Sequence, residues 1–178
     1  MQNTLQKMKK SVNALLLLSK VNNAQFLKKE SVNLKDVLVE LAEDWSGIAK
    51  SQSLTLQVSS LEDFEVDQTN GSLLTMMIQN ALSNAVRYAF PESLLDLRGS
   101  KEDVGYVVEV INRGESMDPK ILKQVEEGTV FLQDANRESS GFGLQIMFKI
   151  AIFLGVTLSI SSLEDQTSVK FIFPKKDF

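Results

Sequence analysis

Apolar side chains along this chain alternate between helical and extended rhythms, and each change of rhythm falls at a polar, glycine- or proline-bearing break. From Thr4 to about Asn22 there is no Gly or Pro, and Leu5, Met8, Val12, Leu15, Ser19 and Asn22 recur at alternating spacings of three and four. That is the seam of a coiled coil or helical bundle, with Lys7, Lys9, Lys10 and Lys20 off the seam. Two readings fit: an amphipathic helix folded onto its own domain, or a helix that pairs with another chain. The seam is too short to decide between them.

Phe26 to Val32 reads as a short extended segment. Asn33 then stands as the N-cap of a helix from Leu34 to about Lys50, with Leu34, Val37, Leu38, Leu41, Trp45 and Ile48 on its apolar face. Leu54, Leu56 and Val58 alternate as a strand does, and Phe64 to Asp67 predicts a second. A long helix follows from about Ser72 to Ala89, stopped by Pro91. Leu94–Arg98 and Val104–Ile111 predict neighbouring strands joined by a turn around Gly99 to Asp103. Asp118 and Pro119 take the N-cap and N1 positions of a short helix reaching about Glu127. After a polar stretch from Gly128 to Ser140, a helix is expected from about Gly143 to Leu154. Two last strands, Thr157–Ser161 and Ser168–Phe173, are joined by a turn at Leu163 to Gln166. Because several strands form hairpins rather than helical crossovers, the pattern predicts a two-layer α/β sandwich, not a doubly wound parallel sheet.

Composition narrows the chemistry. The 178 residues carry a net charge of −4, which speaks against a nucleic-acid-binding surface. With no cysteine and no histidine, disulfides, thiolate or imidazole metal sites and Ser-His-Asp triads are excluded. The longest apolar run near the N-terminus, Leu15 to Leu18, is far short of a membrane span, so these residues are not expected to cross one.

Three segments carry candidate chemistry. In LLTMMIQNALSNAVRYA, Leu73 to Ala89, apolar residues nearly encircle the helix while Asn80, Asn84 and Arg87 form a polar stripe at i, i+4, i+7, with Tyr88 beside it. Asparagine is a poor helix former, and an unpaired buried amide costs about 1–3 kcal/mol, so two amides one turn apart suggest a shared partner. Their carbonyl oxygens suit Mg²⁺, and Arg87 suits phosphate charge. The competing reading is that both amides simply face solvent. In VEVINRGESMDP, Val108 to Pro119, a strand ends in a sharp turn at Gly114, where a glycine permits unusual dihedrals or a close backbone approach by a ligand. In SSGFGLQIM, Ser139 to Met147, closely spaced glycines lead into a helix and expose N–H groups at the positive end of its dipole. Taken singly, the second is also an ordinary turn and the third a flexible loop.

Taken in order, these segments resemble the catalytic domain of sensor histidine kinases, within the wider ATPase superfamily of Hsp90, gyrase and MutL. NALSNAVRYA is similar to that family's N box, N-L-L-x-N-A-x-K-Y. The resemblance implies Asn80 as the Mg²⁺ ligand, with Asn84, Arg87 (at the usual lysine position) and Tyr88 contacting phosphates or ribose. The Asn112–Gly114 turn resembles the G1 box, D-x-G-x-G, with Asn112 at the acidic position that accepts from the adenine amino group. Ser116 stands at the second glycine, and Met117 fills the apolar place that follows. The amide oxygen of Asn112 can still accept that bond. Gly141, Gly143 and Leu144 match the G2 box, G-x-G-L-G-L, with Ser139 at its first glycine. Gly128 to Ser140 would be a short ATP lid, with Phe131 as its aromatic anchor.

The resemblance implies a Bergerat-type fold, a mixed and mainly antiparallel sheet on about three helices. It divides the chain into a second dimerisation helix, residues 1–25, and a catalytic ATP-binding domain, residues 26–178. It implies ATP and Mg²⁺ as cofactors, a homodimer through the N-terminal helix, and a response regulator receiver domain as partner. The expected setting is the cytoplasmic portion of a sensor, in a family whose full-length members often have transmembrane regions. Because the chain has no histidine, the phospho-acceptor is expected to lie outside it, as in a fragment that begins between two dimerisation helices. A degenerate dimerisation or regulator-docking module would tolerate Asn112, Ser116 and Ser139. An anti-sigma-type protein-serine kinase would need no histidine, though the bundle-type helix argues against it. A MutL-like mechanical ATPase would need a transducer domain for which there is no room.

Overall fold

The computed structural model describes residues 29–129 and 141–175. The proposed dimerisation helix, the domain boundary near residue 25, Phe131 and most of the lid lie outside the described residues.

The chain runs β1 (Glu30–Asn33), α1 (Leu34–Ser51), β2 (Thr55–Leu61), β3 (Glu65–Thr69), α2 (Gly71–Tyr88), β4 (Leu94–Glu102) and β5 (Gly105–Arg113). It continues through α3 (Pro119–Glu126), α4 (Gly141–Leu154), β6 (Thr157–Leu163) and β7 (Gln166–Pro174). The helix starts are set by local chemistry. Asn33 caps α1, its side-chain oxygen accepting from Lys35 N at 2.9 Å and Asp36 N at 3.4 Å. Asn70 does the same for α2, accepting from Leu73 N at 3.0 Å. Asp118 caps α3 through Lys120 N at 2.9 Å, ahead of Pro119.

Five strands form the main sheet in the order β2-β4-β5-β7-β6, and β1 pairs with β3 in a separate two-stranded ribbon. Only the β2–β4 pairing is parallel within the main sheet; the other three are antiparallel. The expected two-layer architecture is therefore present: helices cover one face, and alternation along the strands decides which residues meet them. Tyr106, Val108 and Val110 of β5 join Val169, Phe171 and Phe173 of β7 in a single core. Leu34, Leu38 and Leu41 of α1, Leu74, Met77 and Ile78 of α2, and Met147 and Ile150 of α4 complete it. The opposite face is mixed, with Val107 and Ile172 beside a row of charged residues. There Arg98, Glu109 and Lys170 stand in register across β4, β5 and β7. The Arg98 guanidinium lies 2.6 Å from Asp96, and Lys170 lies 3.7 Å from Glu109.

Three local expectations are corrected. Ile48 is 46% exposed, while Ala49 is fully buried; the chain folds back after α1 with Leu54 N donating to Ala49 O at 2.9 Å, covering Ala49 instead. The β4–β5 strands extend through Glu102, so Gly99 lies inside a strand rather than in the turn. A side chain there would press into Leu38 and the ring of Tyr106, which explains the glycine in packing terms. Helix α4 begins at Gly141, not Gly143, so both glycines belong to its first turn.

Candidate functional site

Helix α2 crosses the core between α1 and α4, and its polar stripe faces the start of α4. Asn80 Nδ2 donates back along the helix to Met76 O at 2.8 Å. This leaves the Asn80 carbonyl oxygen turned toward Gly143: a Cβ built there would sit 3.3 Å from Asn80 Oδ1 and 3.6 Å from Asn84 Oδ1. Both amides are half-buried, and neither stands fully exposed to solvent. Two hard oxygen acceptors thus converge on the glycine-bearing first turn of α4, where N–H groups without an intrahelical partner and the helix dipole favour negative charge.

One turn farther along α2, a cavity of about 240 Å³ opens between α2, α4 and the sheet. Its lining is mostly apolar, with Met117, Leu144, Met147 and Ile160 among the walls, and a few polar groups at defined places. Asn84 and Tyr88 enter from α2. Asn112 enters from the end of β5, where it lies in register with Leu95 of β4 and Thr167 of β7. Asn112 is only 5% exposed, and its Nδ2 is buried with no hydrogen-bond partner. A buried amide nitrogen left unpaired is costly, which marks Asn112 as the polar residue of the wall whose hydrogen bonding the protein leaves incomplete. Thr167 beside it is satisfied: its hydroxyl lies 2.9 Å from Ser162 Oγ, which also accepts from Met117 N at 3.0 Å.

The loop after β5 is held from behind by the β6–β7 turn. Arg113 pairs with Asp165 at 2.5 Å, Gly114 N donates to Asp165 O at 2.7 Å, and the Ser116 hydroxyl donates to the Glu164 carbonyl. Gly114 is required here for a reason other than the one expected. Its φ is not positive, and the backbone that approaches it closely belongs to this chain. A Cβ at Gly114 would lie 2.8 Å from the Tyr88 carbonyl carbon and 3.0 Å from Ala89 Cα. Glu115 N donates to Tyr88 O at 3.3 Å, and Phe90 N to Arg113 O at 2.9 Å. The glycine lets the end of α2 dock against the loop that carries Asn112.

Of the residues expected at a site, Asn84, Tyr88, Asn112, Met117 and Leu144 line the cavity. Asn80 and Gly143 lie together at the α2–α4 crossing beside it, and Gly141 opens α4. Arg87 is exposed, its guanidinium 5.5 Å from the Tyr88 ring centre, within cation–π range. Sequence reasoning missed Thr167, Ser162 and Met147. Thr167 is brought opposite Asn112 by a strand pairing that no local pattern announces. The phenol with a marked shift, Tyr106, is elsewhere: burial chiefly, then Glu62 and Asp63, push it up to about 12, and its hydroxyl donates to Glu62 O at 2.7 Å. Among the described residues no cluster of His, Cys, Asp or Glu is fit to hold a metal by itself. No described helix is long and apolar enough to cross a membrane.

Comparison with known proteins bears on the family and the fold. The family described as histidine kinase-, DNA gyrase B- and HSP90-like ATPases matches residues 69–177. The chain is 28% identical over 175 residues to the sensor protein CzcS of Cupriavidus metallidurans, covering 95% of this chain and 36% of that protein. It is 27% identical over 181 residues to the sensor histidine kinase CusS of Escherichia coli O157:H7, covering 97% and 36% respectively. The chain thus spans about a third of the length of these relatives. In fold it is similar to the Acinetobacter baumannii histidine kinase AdeS, with a TM-score of 0.75 at 16% identity over 99% of this chain and 82% of that one. It also resembles full-length ShkA in complex with AMPPNP, with a TM-score of 0.70 at 20% identity over 92% of this chain and 36% of that one.

Proposed function

The chain belongs to the family of histidine kinase-, DNA gyrase B- and HSP90-like ATPases, and from that membership we propose that it is the Mg-ATP-binding catalytic domain of a two-component sensor histidine kinase. The observation that carries the reading is a mostly apolar cavity bounded by all three candidate segments, with the unpartnered amide of Asn112 in its wall. The cavity takes the base, with Asn112 facing the purine edge and Met117 and Leu144 in the apolar walls. Asn84, Arg87 and Tyr88 serve the ribose and phosphates. The first turn of α4, with Gly141 and Gly143, offers backbone N–H groups to the phosphates, and Gly114 keeps the Asn112 loop docked on α2.

The donor set fits Mg²⁺ held jointly with a nucleotide. Asn80 supplies a hard carbonyl oxygen that its own amide nitrogen does not use. No carboxylate cluster competes for the ion among the described residues, so phosphate oxygens and water would complete its shell. When bound, the ion neutralises phosphate charge. The protein's own contribution is positioning and preorganised dipoles in a largely dry site. The γ-phosphate goes to a histidine outside this chain, which itself contains none, and then to an aspartate of a response regulator receiver domain. Residues 1–25, outside the described residues, serve to pair two copies. The working location is the cytoplasmic side of a sensor.

Calorimetry tests the binding step. Mg-ATP is expected to bind, and Asn80→Ala to abolish the Mg²⁺ dependence; binding that is indifferent to Mg²⁺ in both proteins would remove Asn80 from the site. Phosphotransfer is tested by adding a histidine-bearing dimerisation-helix polypeptide and radiolabelled ATP. Acid-labile label on that histidine is the expected result, and ATP binding without any transfer would favour a docking module.

A further inference from the structure

We infer that the cavity accepts guanine nearly as well as adenine, and that Asn112 sets this tolerance. The inference rests on the nucleotide-binding reading above and concerns which base that site takes. It starts from the amide. Asn112 is 5% exposed, lines the cavity, and has a buried Nδ2 that nothing in the protein engages. Because no neighbour fixes which end of the amide is oxygen and which is nitrogen, a half-turn about its last side-chain bond exchanges donor and acceptor at little cost.

The second polar group at this place is equally reversible. Thr167, opposite Asn112 on β7, shares its hydroxyl with Ser162 Oγ at 2.9 Å, and either oxygen can be the donor. Ser162 already accepts from Met117 N, so its own proton is free to point toward Thr167 or away from it. The surrounding walls, Ala81, Ala85, Leu144 and Met147 among them, read shape alone.

Adenine presents an amino donor beside a ring-nitrogen acceptor on its Watson–Crick edge. Guanine presents a carbonyl acceptor in place of the amino group, then a ring N–H and a 2-amino group as donors. A carboxylate at position 112, facing the 6-position of a base seated the same way, offers acceptors only, so it matches the adenine amino group and meets the guanine carbonyl with like partial charge. An amide that flips turns its oxygen to the adenine amino group or its nitrogen to the guanine carbonyl. The difference between Asp and Asn at this one position is therefore a difference in base selectivity, with the purine shape requirement unchanged.

The test is competition binding of Mg-ATP and Mg-GTP to the whole chain, wild type and Asn112→Asp, at pH 8, well above the ordinary carboxyl range because burial raises a carboxyl's pKa. The ratio of the two dissociation constants is independent of how much of a preparation is folded. In the wild type the GTP-to-ATP ratio is expected below about tenfold, and Asn112→Asp is expected to raise it by at least about tenfold, the scale of one lost base contact. Wild-type binding of ATP with GTP about a hundredfold weaker or worse overturns the inference without any variant, and leaves the nucleotide reading intact. A small wild-type ratio that Asn112→Asp does not change overturns the role of Asn112. Binding of neither nucleotide removes the nucleotide reading and this inference together.

Discussion

Replacing Gly114 with alanine tests how the site is assembled. The added methyl would lie 2.8 Å from the carbonyl carbon of Tyr88 and 3.0 Å from Ala89 Cα, against an ordinary contact of 3.4 Å or more. The obstructing atoms are backbone, so no rotamer change relieves the clash, and either the end of α2 or the loop after β5 must move. Overpacking of this kind costs about 1–3 kcal/mol. Three backbone hydrogen bonds share the strain: Gly114 N to Asp165 O at 2.7 Å, Phe90 N to Arg113 O at 2.9 Å, and Glu115 N to Tyr88 O at 3.3 Å. Loss of one of them adds about 1 kcal/mol net. The expected total is about 3 kcal/mol, read as a lower urea midpoint with unchanged slope. Gly155→Ala is the comparison: its φ of +69° strains any side chain, but nothing lies within 4 Å of the new methyl, and it stands between α4 and β6, outside the cavity lining. Only the left-handed penalty of about 1–2 kcal/mol applies there. Because the displaced loop carries Asn112, Gly114→Ala should also weaken Mg-ATP binding, while Gly155→Ala should not. A Gly114→Ala protein as stable as Gly155→Ala, with wild-type nucleotide affinity, would refute the docking of α2 on this loop.

Gly143→Ala should separate stability from function. The helix gains from replacing glycine, by up to about 1 kcal/mol, yet the methyl crowds Asn80 Oδ1 at 3.3 Å; calorimetry should show Mg-ATP affinity falling about tenfold or more while the melting temperature holds or rises. Asn33→Ala removes the acceptor for Lys35 N and Asp36 N and should cost about 1 kcal/mol in urea unfolding. Tyr106 gives a pH signature. Its folded pKa is pushed up to about 12, above the ordinary value of 10.0, so between these the unfolded chain loses a proton that the folded protein keeps. Stability from this group is complete below pH 10.0 and declines as pH rises toward about 12. Tyr106→Phe should lower stability at neutral pH, by loss of the bond to Glu62 O, and flatten that alkaline decline; an equally steep decline in the variant would contradict the assignment.

What the sequence revealed was the part governed by neighbours within one or two turns. The Asn33 and Asp118 caps, the polar stripe of α2 and the β6–β7 turn all depend on local spacing, and each stands where the pattern put it. Strand order is different. The parallel pairing of β2 with β4, and the register that sets Thr167 opposite Asn112, join segments far apart in the chain. No period in either segment encodes its partner. Gly114 shows the same limit at a single residue: the sequence marks a position that must be small, but the Tyr88 carbonyl that makes it so arrives from another element. Ile48 and Ala49 differ by one place on the helix, and only the returning chain at Leu54 decides which is covered.

The central claim is that the cavity between α2, α4 and the sheet holds Mg-ATP, and two of the chain's 6 methionines report on it directly. Met117 and Met147 line the cavity, whereas Met77 is fully buried in the core away from its lining. In a methyl-labelled NMR titration, the Met117 and Met147 signals should move saturably as Mg-ATP is added, with Met77 nearly still. Saturating nucleotide that leaves both Met117 and Met147 in place would contradict the account.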